Sequence, residues 1–424
     1  MQEKALAAFD GKKPRDIKKH NTNLVLSLFR SLGETTMNEV ADKTSLSKTT
    51  ISKIFSRLSE LGIIVHTGHG SSTAEGGKRP ITFALYPDYC YSILISAGFP
   101  NHLTCTVLNF GGELPYRKRI ETDPTETYTE TVNRIAVMVR EAMQAVGVSP
   151  EKLCGIAILY DGIIDTVSGE ILHSAYRPWP SHLKLREDLA EQLPFETSII
   201  VDNASVFAGY AETSILSESA ANRMVIVWDA DRTLGYCMIS GQELVRSAGG
   251  ISGGFAHVVL DPSSQIVCSC GAHGCLQSLL SNESLLDYVG RSHKKYPDSA
   301  LTERFFAGTL CMQDVFTLSS GRDAFALDCL SHISRYFAIL IHNIFNLYSV
   351  QEVVLQGMFA RSGDVFLEQM RQQLETFNQL SIYREIRVCY SQYSFHQALD
   401  GVNPYHKGAN MILSDLFINT ADAV

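Results

Sequence analysis

The sequence predicts two structures in succession: a small helical domain that ends in two strands, over residues 1–87, and a much larger α/β body after it. Two observations predict this division. Apolar residues recur at helical spacing between Leu24 and Leu61, and two short strand-like runs follow them. After Pro87, apolar strand-like runs alternate with amphipathic helical segments, which is the pattern of an α/β fold.

The composition is that of a globular chain. Its 424 residues, 45% hydrophobic and 19% charged, are enough for roughly three domains. No uncharged apolar run reaches the roughly 18 to 20 residues that a membrane span needs, and the N-terminus lacks the apolar stretch of a secretion signal. We therefore expect a cytoplasmic protein whose ten cysteines are buried thiols or metal ligands rather than disulfides.

Charge is distributed unevenly along the chain. The first 90 residues contain 13 Lys and Arg against 9 Asp and Glu, whereas the remainder carries a net charge of −13. A basic N-terminal domain on an acidic body indicates a polyanionic partner for that domain alone. The excess is small, and a basic surface that only faces solvent would explain it almost as well.

The first 87 residues have the pattern of three helices followed by two strands. Ser47 is placed to cap the third helix, and Gly62 to end it. The turn "KTSLS" separates the second and third helices, and the strand-like runs "GIIVHTG" and "ITFALY" follow, joined by the loop "HGSSTAEGGKRP". This order predicts a winged helix-turn-helix domain. The apolar positions of the helices are Leu24, Val25, Leu28, Leu32, Met37, Val40, Ala41, Ile51, Ile54, Phe55, Leu58 and Leu61.

The third helix is expected to turn a polar and basic face outward, suited to phosphates and base edges in the major groove of DNA. The wing tip adds two glycines and two basic residues that could enter a minor groove. A double-stranded DNA operator is the predicted partner, near-palindromic if the protein is a dimer, although winged helices also serve as protein-interaction modules. The predicted DNA-binding residues are Ser47, Lys48, Thr49, Thr50, Ser52, Lys53, Lys78 and Arg79.

The sequence of the body predicts alternating strands and helices. Amphipathic helices are expected near residues 126–146, 183–193, 324–347 and 364–378, between apolar strand runs such as "YSILISAG", "LCGIAILY" and "EVVLQGM". About 335 residues exceed what one simple core accommodates, so we expect two lobes. We place the first lobe at residues 88–203, rejoined by a C-terminal helix at 405–424, and the second at 204–404, with a dimerisation surface.

The segment "FAHVVLDPSSQIVCSCGAHGCLQ" concentrates three cysteines and two histidines. His257, Cys268, Cys270 and Cys275 offer one imidazole and three thiolates, the four ligands of a closed, tetrahedral, structural zinc site. The segment has no isolated C-x-x-C pair, which a redox site would favour. We expect one structural zinc ion per chain, with His273 as an alternative ligand.

These motifs resemble the ROK family of repressors, open reading frames and sugar kinases. The likeness rests on the wing "GGKRP", the histidine followed by "CSCGAHGC", and the segments "YSVQEVVLQGMFARSGDVFLEQM" and "HKGANMILSDLF". It implies a two-lobed, actin-like, ribonuclease H-like sugar-kinase body, with a sugar site in the interlobe cleft beside the zinc.

Several positions depart from the kinases of that family. Where those kinases have an Asn-Asp pair whose aspartate is the general base, this chain has Asn203 followed by Ala204. The phosphate-binding turns are replaced by "ISAGFPN" and by "WDADRTLGYC", in which Asp229 and Asp231 would repel phosphate.

Two sugar-binding glutamates of the family are also replaced, by Gly254 and Gln277. Asn203, His257 and Gln277 remain as the predicted polar ligand-binding groups of the cleft.

Together these features predict a DNA-binding transcriptional regulator, a repressor of carbohydrate-related genes, with a body that binds an effector and oligomerises without catalysing a reaction. We expect a homodimer or homotetramer and a sugar or sugar-derived effector. Two alternatives stay open: a sugar kinase that retains a DNA-binding domain, with Asp202 or Asp161 as its base, and a regulator controlled by a protein partner.

Overall fold

The structure of the protein, a computed structural model, describes residues 14–70, 79–98, 101–174, 176–215, 222–229, 233–241, 243–247, 249–377, 386–393 and 401–421. The helices in these ranges are α1 (Pro14–Leu32), α2 (Met37–Lys43), α3 (Lys48–Glu60), α4 (Tyr128–Val146), α5 (Leu185–Gln192), α6 (Ala204–Tyr210), α7 (Leu276–Leu279), α8 (Asn282–Ser292), α9 (Ala300–Phe306), α10 (Met312–Ser320), α11 (Ala324–Tyr348), α12 (Val365–Phe377) and α13 (Pro404–Ala421).

The strands are β1 (Glu34–Thr36), β2 (Ile64–His69), β3 (Ile81–Leu85), β4 (Tyr91–Ser96), β5 (His102–Asn109), β6 (Tyr116–Glu121), β7 (Leu153–Tyr160), β8 (Gly162–Asp165), β9 (Glu170–Ser174), β10 (Ile199–Asn203), β11 (Asn222–Asp229), β12 (Thr233–Ser240), β13 (Glu243–Val245), β14 (Ile251–Ser252), β15 (Glu352–Gly357) and β16 (Arg387–Tyr390). The helices predicted near 126–146, 183–193, 324–347 and 364–378 are confirmed as α4, α5, α11 and α12.

The N-terminal part contains α1 to α3 and an antiparallel sheet in the order β1-β3-β2. Its helices begin at side-chain caps: Thr36 and Glu39 form a capping box on α2, and the amide of Thr50 donates to Ser47 Oγ at 3.1 Å on α3. Gly62, which follows α3, has a left-handed φ of 72°, as its predicted role as a helix stop requires.

The core of this part follows most of the predicted apolar positions. Val25, Val40 and the apolar face of α3 are buried, together with Leu26 and Phe29 of α1. Leu32, predicted to be apolar core, is 40% exposed because it is the last residue of α1. The helix itself begins at Pro14, ten residues before the first predicted apolar position.

The body contains two five-stranded sheets with the same arrangement. In the first, β10, β7 and β4 are parallel and β5 and β6 continue antiparallel; in the second, β16, β15 and β11 are parallel and β12 and β13 continue antiparallel. Strands β5 and β7 are buried along their whole length. This burial explains the unbroken apolar run of β7. A small third sheet has the order β14-β8-β9.

Helix α11 is the described helix that is long and apolar enough to cross a membrane. Most of it is buried: its apolar face, including Phe325, Leu330 and Phe337, lies in the core of the second sheet. A core helix passes the same length and hydropathy test, so this helix is weak evidence for a membrane span.

Helix α13 returns to the first sheet and joins it to the N-terminal part. It packs on β4, β7 and α6, and a Cβ placed at Gly408 would lie 1.8 Å from the carbonyl oxygen of Phe207. Near its C-terminal end, Asp415 accepts a hydrogen bond of 2.6 Å from Arg30 of α1, and both side chains are largely buried. The domain boundaries given above stay predictions.

Candidate functional site

The cysteine-rich loop is folded by short-range backbone contacts. Isolated bridges pair Val259 with Cys275 and Val267 with His273, and the amide of Cys268 donates to the carbonyl of Ala272 at 2.8 Å. Gly274 has a φ of 71°, and a Cβ there would lie 1.8 Å from the Asp261 carbonyl oxygen. The close approach of these two backbone segments therefore requires glycine at this position.

The loop brings together the four side chains predicted to hold a metal. The ligand atoms of His257, Cys268, Cys270 and Cys275 lie within 4.8 Å of one another. Cys268 Sγ lies 3.4 Å from His257 Nδ1, and the sulfurs of Cys270 and Cys275 are 3.7 Å apart.

These separations fit a tetrahedral ion. Bond lengths of about 2.3 Å to sulfur and about 2.0 Å to nitrogen place the sulfurs roughly 3.8 Å apart and a nitrogen and a sulfur roughly 3.5 Å apart. The cluster could therefore hold a metal ion. His273, the alternative ligand, lies outside it: its Nδ1 is 3.1 Å from the carbonyl oxygen of Ser264, to which it can donate.

A cleft of about 240 Å³ opens beside this cluster and lies between the two large sheets. Its wall includes residues that follow β7, end β10 and β11, or begin α7, which are common positions for binding residues in α/β proteins. The lining residues are Asp161, Gly162, Tyr176, Asn203, Trp228, Asp229, Leu234, Gly253, Ala256, His257, Gln277, Leu280, Ser281, Asn282, Met312 and Met358.

The three predicted ligand-binding residues, Asn203, His257 and Gln277, all line this cleft. Asn203 is partly committed to the fold, because its Oδ1 accepts hydrogen bonds from the amide and hydroxyl of Ser205 and its Nδ2 donates to the Gly162 carbonyl at 3.1 Å. Asn203 is thus also the N-cap of α6. The binding role of the three residues stays a prediction.

His257 connects the metal cluster to the cleft. Burial, followed by the nearby His173, lowers the pKa of His257, which favours the neutral imidazole that metals bind. The Nδ1 atom of His257 lies beside Cys268, and the residue also lines the cleft. Gln277 Oε1 lies 3.9 Å from the sulfur of Cys268, so a second cleft residue also lies beside the cluster.

The positions where related kinases hold their general base are buried. Ala204 is 7% exposed and opens α6. Asp202 is fully buried, and its Oδ2 is 2.6 Å from a guanidinium nitrogen of Arg246. Burial raises the pKa of Asp202, although Arg246 opposes that shift. Neither residue is among those that line the described cleft, whereas Asp161 is.

Two acidic residues face the cleft from opposite sheets. Asp161 follows β7, and Asp229 ends β11 and accepts a hydrogen bond of 3.3 Å from Tyr405. Partial desolvation, followed by the charges of these two carboxylates, raises the pKa of Tyr176 to about 12. Asp231, also predicted to be near a phosphate position, lies outside the described residues.

Some lining residues were not predicted from the sequence. Tyr176 and Asn282 belong to no motif. Trp228 opens the segment "WDADRTLGYC" but was not predicted to line the cleft, although its position near the end of an apolar strand is a signal that could have found it. A side chain at Gly254 would meet no atom within 4 Å of its Cβ. Gly254 itself is exposed and is not among the described residues that line the cleft.

Helix α3 presents the predicted DNA-binding face. Lys48, Thr49, Ser52 and Lys53 are exposed, on the side of the helix opposite its buried apolar residues. Ser47 and Thr50 are partly committed to the helix cap, since their hydroxyl oxygens are 2.9 Å apart. Arg79 is exposed before β3, and Lys78 lies outside the described residues.

The model of the ROK family matches residues 95–402. The chain belongs to the ROK family. Along 406 residues, 95% of this chain and 97% of the relative, it is 23% identical to the xylose repressor of Bacillus subtilis.

Two solved structures support an actin-like ROK sugar-kinase fold for the body. A ROK family transcriptional regulator, a homologue of the Escherichia coli MLC protein, superposes with a TM-score of 0.70 at 18% identity, over 94% of this chain and 98% of its own. A ROK family glucokinase from Streptomyces griseus, in complex with glucose and AMPPNP, gives a TM-score of 0.58 at 17% identity, over 76% of this chain and 98% of its own.

Proposed function

We propose that this ROK protein is a DNA-binding transcriptional regulator, a repressor of carbohydrate-related genes, whose body binds a small carbohydrate without phosphorylating it. The observation that carries the proposal is the exposed polar and basic face of α3, in a chain similar to a xylose repressor along nearly its whole length. The glucokinase structure covers 76% of this chain, whereas the transcriptional-regulator structure covers 94%.

In this proposal, residues 1–87 act as a winged helix-turn-helix domain. Helix α3 enters a major groove, where Lys48 and Lys53 contact phosphates and Thr49 and Ser52 reach base edges. Arg79, with Lys78 beside it in the sequence, contacts the adjacent minor groove. Two copies in a dimer would place two α3 helices on successive turns of a near-palindromic operator.

The metal proposed for the cysteine cluster is one structural zinc ion per chain, held by His257, Cys268, Cys270 and Cys275. Three thiolates and one imidazole suit zinc, and four protein ligands leave no open position for a substrate. When bound, zinc would supply charge neutralisation for the thiolates and fix the loop that carries His257 to the cleft.

The effector site proposed is the cleft, with Asn203, His257 and Gln277 as polar contacts and the Trp228 ring on its wall. Sugar binding of this kind needs hydrogen bonds to hydroxyls, but phosphoryl transfer also needs a base and a phosphate site. Ala204 supplies no base, and Asp229 adds negative charge on the side of the cleft where phosphates would lie. We therefore expect effector binding without turnover.

Helix α13 is the proposed route from the cleft to the N-terminal domain. Tyr405, in its first turn, donates to Asp229 of the cleft, while Asp415, near its other end, pairs with Arg30 of α1. One packed helix thus contacts both sites, and a ligand that shifts Asp229 would bias the position of α1.

The alternative function is a sugar kinase with a DNA-binding domain. It is favoured by Asp161, a carboxylate that lines the cleft and could act as a base. A coupled assay with ATP across hexoses and amino sugars tests it. Turnover abolished by Asp161→Asn would establish the kinase and remove the claim of an inactive body.

Two measurements test the regulator itself. Selection of DNA sequences bound by the full chain should enrich a near-palindrome, and a Lys53→Glu variant should enrich none. A thermal-shift screen of sugars, sugar phosphates and amino sugars should identify the effector by stabilisation. Absence of any enriched motif with the unmodified chain would contradict DNA recognition.

A further inference from the structure

A second cavity lies where α1, α3 and α13 meet. Its lining residues come from other parts of the sequence than those of the cleft beside the cysteine cluster. The second cavity has a volume of about 310 Å³, within the usual range of small-molecule sites. Its floor is apolar: Ile54, Leu58 and Ile418 are at most 9% exposed. We call it the α1–α3 groove; it is lined by Ile17, Lys18, Asn21, Thr22, Thr50, Lys53, Ile54, Arg57, Leu58, Leu61 and Ile418.

Three basic residues, Lys18, Lys53 and Arg57, line the α1–α3 groove. Among its described lining residues there is no aspartate or glutamate. Ile17 stays 47% exposed at the rim, which leaves apolar surface open to an occupant. The groove therefore offers hydrophobic burial below and attraction for an anion above.

We propose that the α1–α3 groove binds a small amphipathic carboxylate, with its aliphatic or aromatic body on Ile54, Leu58 and Ile418 and its carboxylate beside Lys53. A sugar fits this site poorly, because hydroxyl groups buried on an apolar floor lose hydrogen bonds to water without replacement. The occupant thus differs in chemistry from the effector proposed for the cleft.

Occupancy of the groove would act directly on DNA binding, an effect that rests on the proposed function. Lys53 lines the groove and is also the proposed phosphate contact of α3. A bound carboxylate neutralises this lysine, so DNA and the ligand compete for the same ammonium group. Ile418 adds α13 to the same site, where the C-terminal helix meets the N-terminal domain.

Isothermal titration calorimetry on the full chain tests the site with 4-phenylbutyrate as the probe and 4-phenylbutanamide as its neutral counterpart. We expect saturable binding of the carboxylate and at least about tenfold weaker binding of the amide, since a charge-assisted contact is lost. Lys53→Ala should weaken the carboxylate about tenfold. Lys19→Ala, a neighbouring exposed lysine of α1 outside the groove, should change it less than twofold.

Ile17→Trp supplies an independent variant, because Ile17 is exposed at the rim and a larger ring there should fill the groove while thermal unfolding stays unchanged. It should abolish binding of 4-phenylbutyrate. Lack of saturable binding by the unmodified chain, equal affinity for the amide, or unchanged affinity in Ile17→Trp would overturn the proposal.

Competition against a DNA duplex separates this inference from the proposed function. We expect 4-phenylbutyrate to lower DNA affinity of the unmodified chain but not of Ile17→Trp. If the chain binds no DNA while calorimetry shows the expected pattern, the regulator proposal fails and the groove stands. If DNA binds and calorimetry shows no site, the groove alone is wrong.

Discussion

Helices α3 and α6 begin in the same way and then serve opposite purposes. Each follows a strand or turn residue, Ser47 or Asn203, whose side-chain oxygen accepts from a backbone amide of the first turn. Helix α3 then exposes lysines, threonine and serine on one face. Helix α6 is buried from Ala204 through Gly209, between β12 and α13.

The two helices differ in what their polar side chains contact. On α3, the side chains of Lys48, Thr49, Ser52 and Lys53 are exposed to solvent, where an outside partner can reach them. Around α6, Asn203 is hydrogen-bonded to Ser205 and Gly162, and Asp202 is paired with Arg246, so these buried polar groups support the fold. Both helices have the same kind of N-cap, so the capping residues alone do not distinguish an exposed helix from a buried one.

The largest expected effect concerns the cluster of His257, Cys268, Cys270 and Cys275. We expect its side chains to stabilise the fold, as the buried polar groups around α6 do. Cys275→Ser should lower the free energy of unfolding by about 4 kcal/mol, or the melting temperature by roughly 10 °C, because one of four ligands is lost. Calorimetric unfolding together with metal analysis checks this. Cys311→Ser, outside the cluster, should change neither, and a Cys275→Ser chain that keeps its metal and stability would refute the structural role.

The next effect tests whether α6 can regain a catalytic residue. Ala204→Asp should cost about 3 kcal/mol of folding free energy, since it places a carboxylate in a buried helix, and it should yield no ATP-dependent phosphorylation. Thermal unfolding and a coupled assay measure both. Ala204→Ser, a small neutral change, should cost less than about 1 kcal/mol. Turnover by Ala204→Asp would show that only the base is missing.

A pair of substitutions sharpens the contrast between the two helices. Lys53→Ala in α3 should weaken DNA binding about tenfold and reduce the salt dependence by about one ion, with unfolding unchanged. Ser205→Ala in α6 should cost about 1 kcal/mol of stability, because a buried hydrogen bond to Asn203 is lost, and leave DNA affinity unchanged. DNA titrations at several salt concentrations, together with thermal unfolding, distinguish the two variants. Lower stability in Lys53→Ala and weaker DNA binding in Ser205→Ala would contradict the proposed difference between the helices.

The smallest expected effect concerns the link between the cleft and the N-terminal domain. Tyr405→Phe removes the hydroxyl that donates to Asp229 and should change stability by less than about 1 kcal/mol. We expect it to reduce the effect of the stabilising sugar on DNA affinity. Tyr348→Phe, at an exposed position, is the control. A full sugar response in Tyr405→Phe would exclude this contact from the coupling.

The sequence was sufficient for features that depend on local spacing. The four candidate metal ligands, which the structure brings together, lie within one 19-residue segment. Strand β7 was predicted within its observed bounds because its apolar run is unbroken. The apolar repeat that marks α1 begins only at Leu24, whereas the helix begins at Pro14, because its first turns are mostly polar. Cleft residues such as Trp228 and Tyr176 come from distant segments, and no local pattern reports that they meet.

The pairing of Arg30 with Asp415 constrains the order of folding during protein synthesis. The two residues are 385 positions apart, so on the ribosome the guanidinium emerges long before its carboxylate. At 5 to 20 residues per second this delay is roughly 20 to 80 s. During that interval α1 exposes the surface that α13 later covers, so the N-terminal domain reaches its final packing only after α13 has left the ribosome.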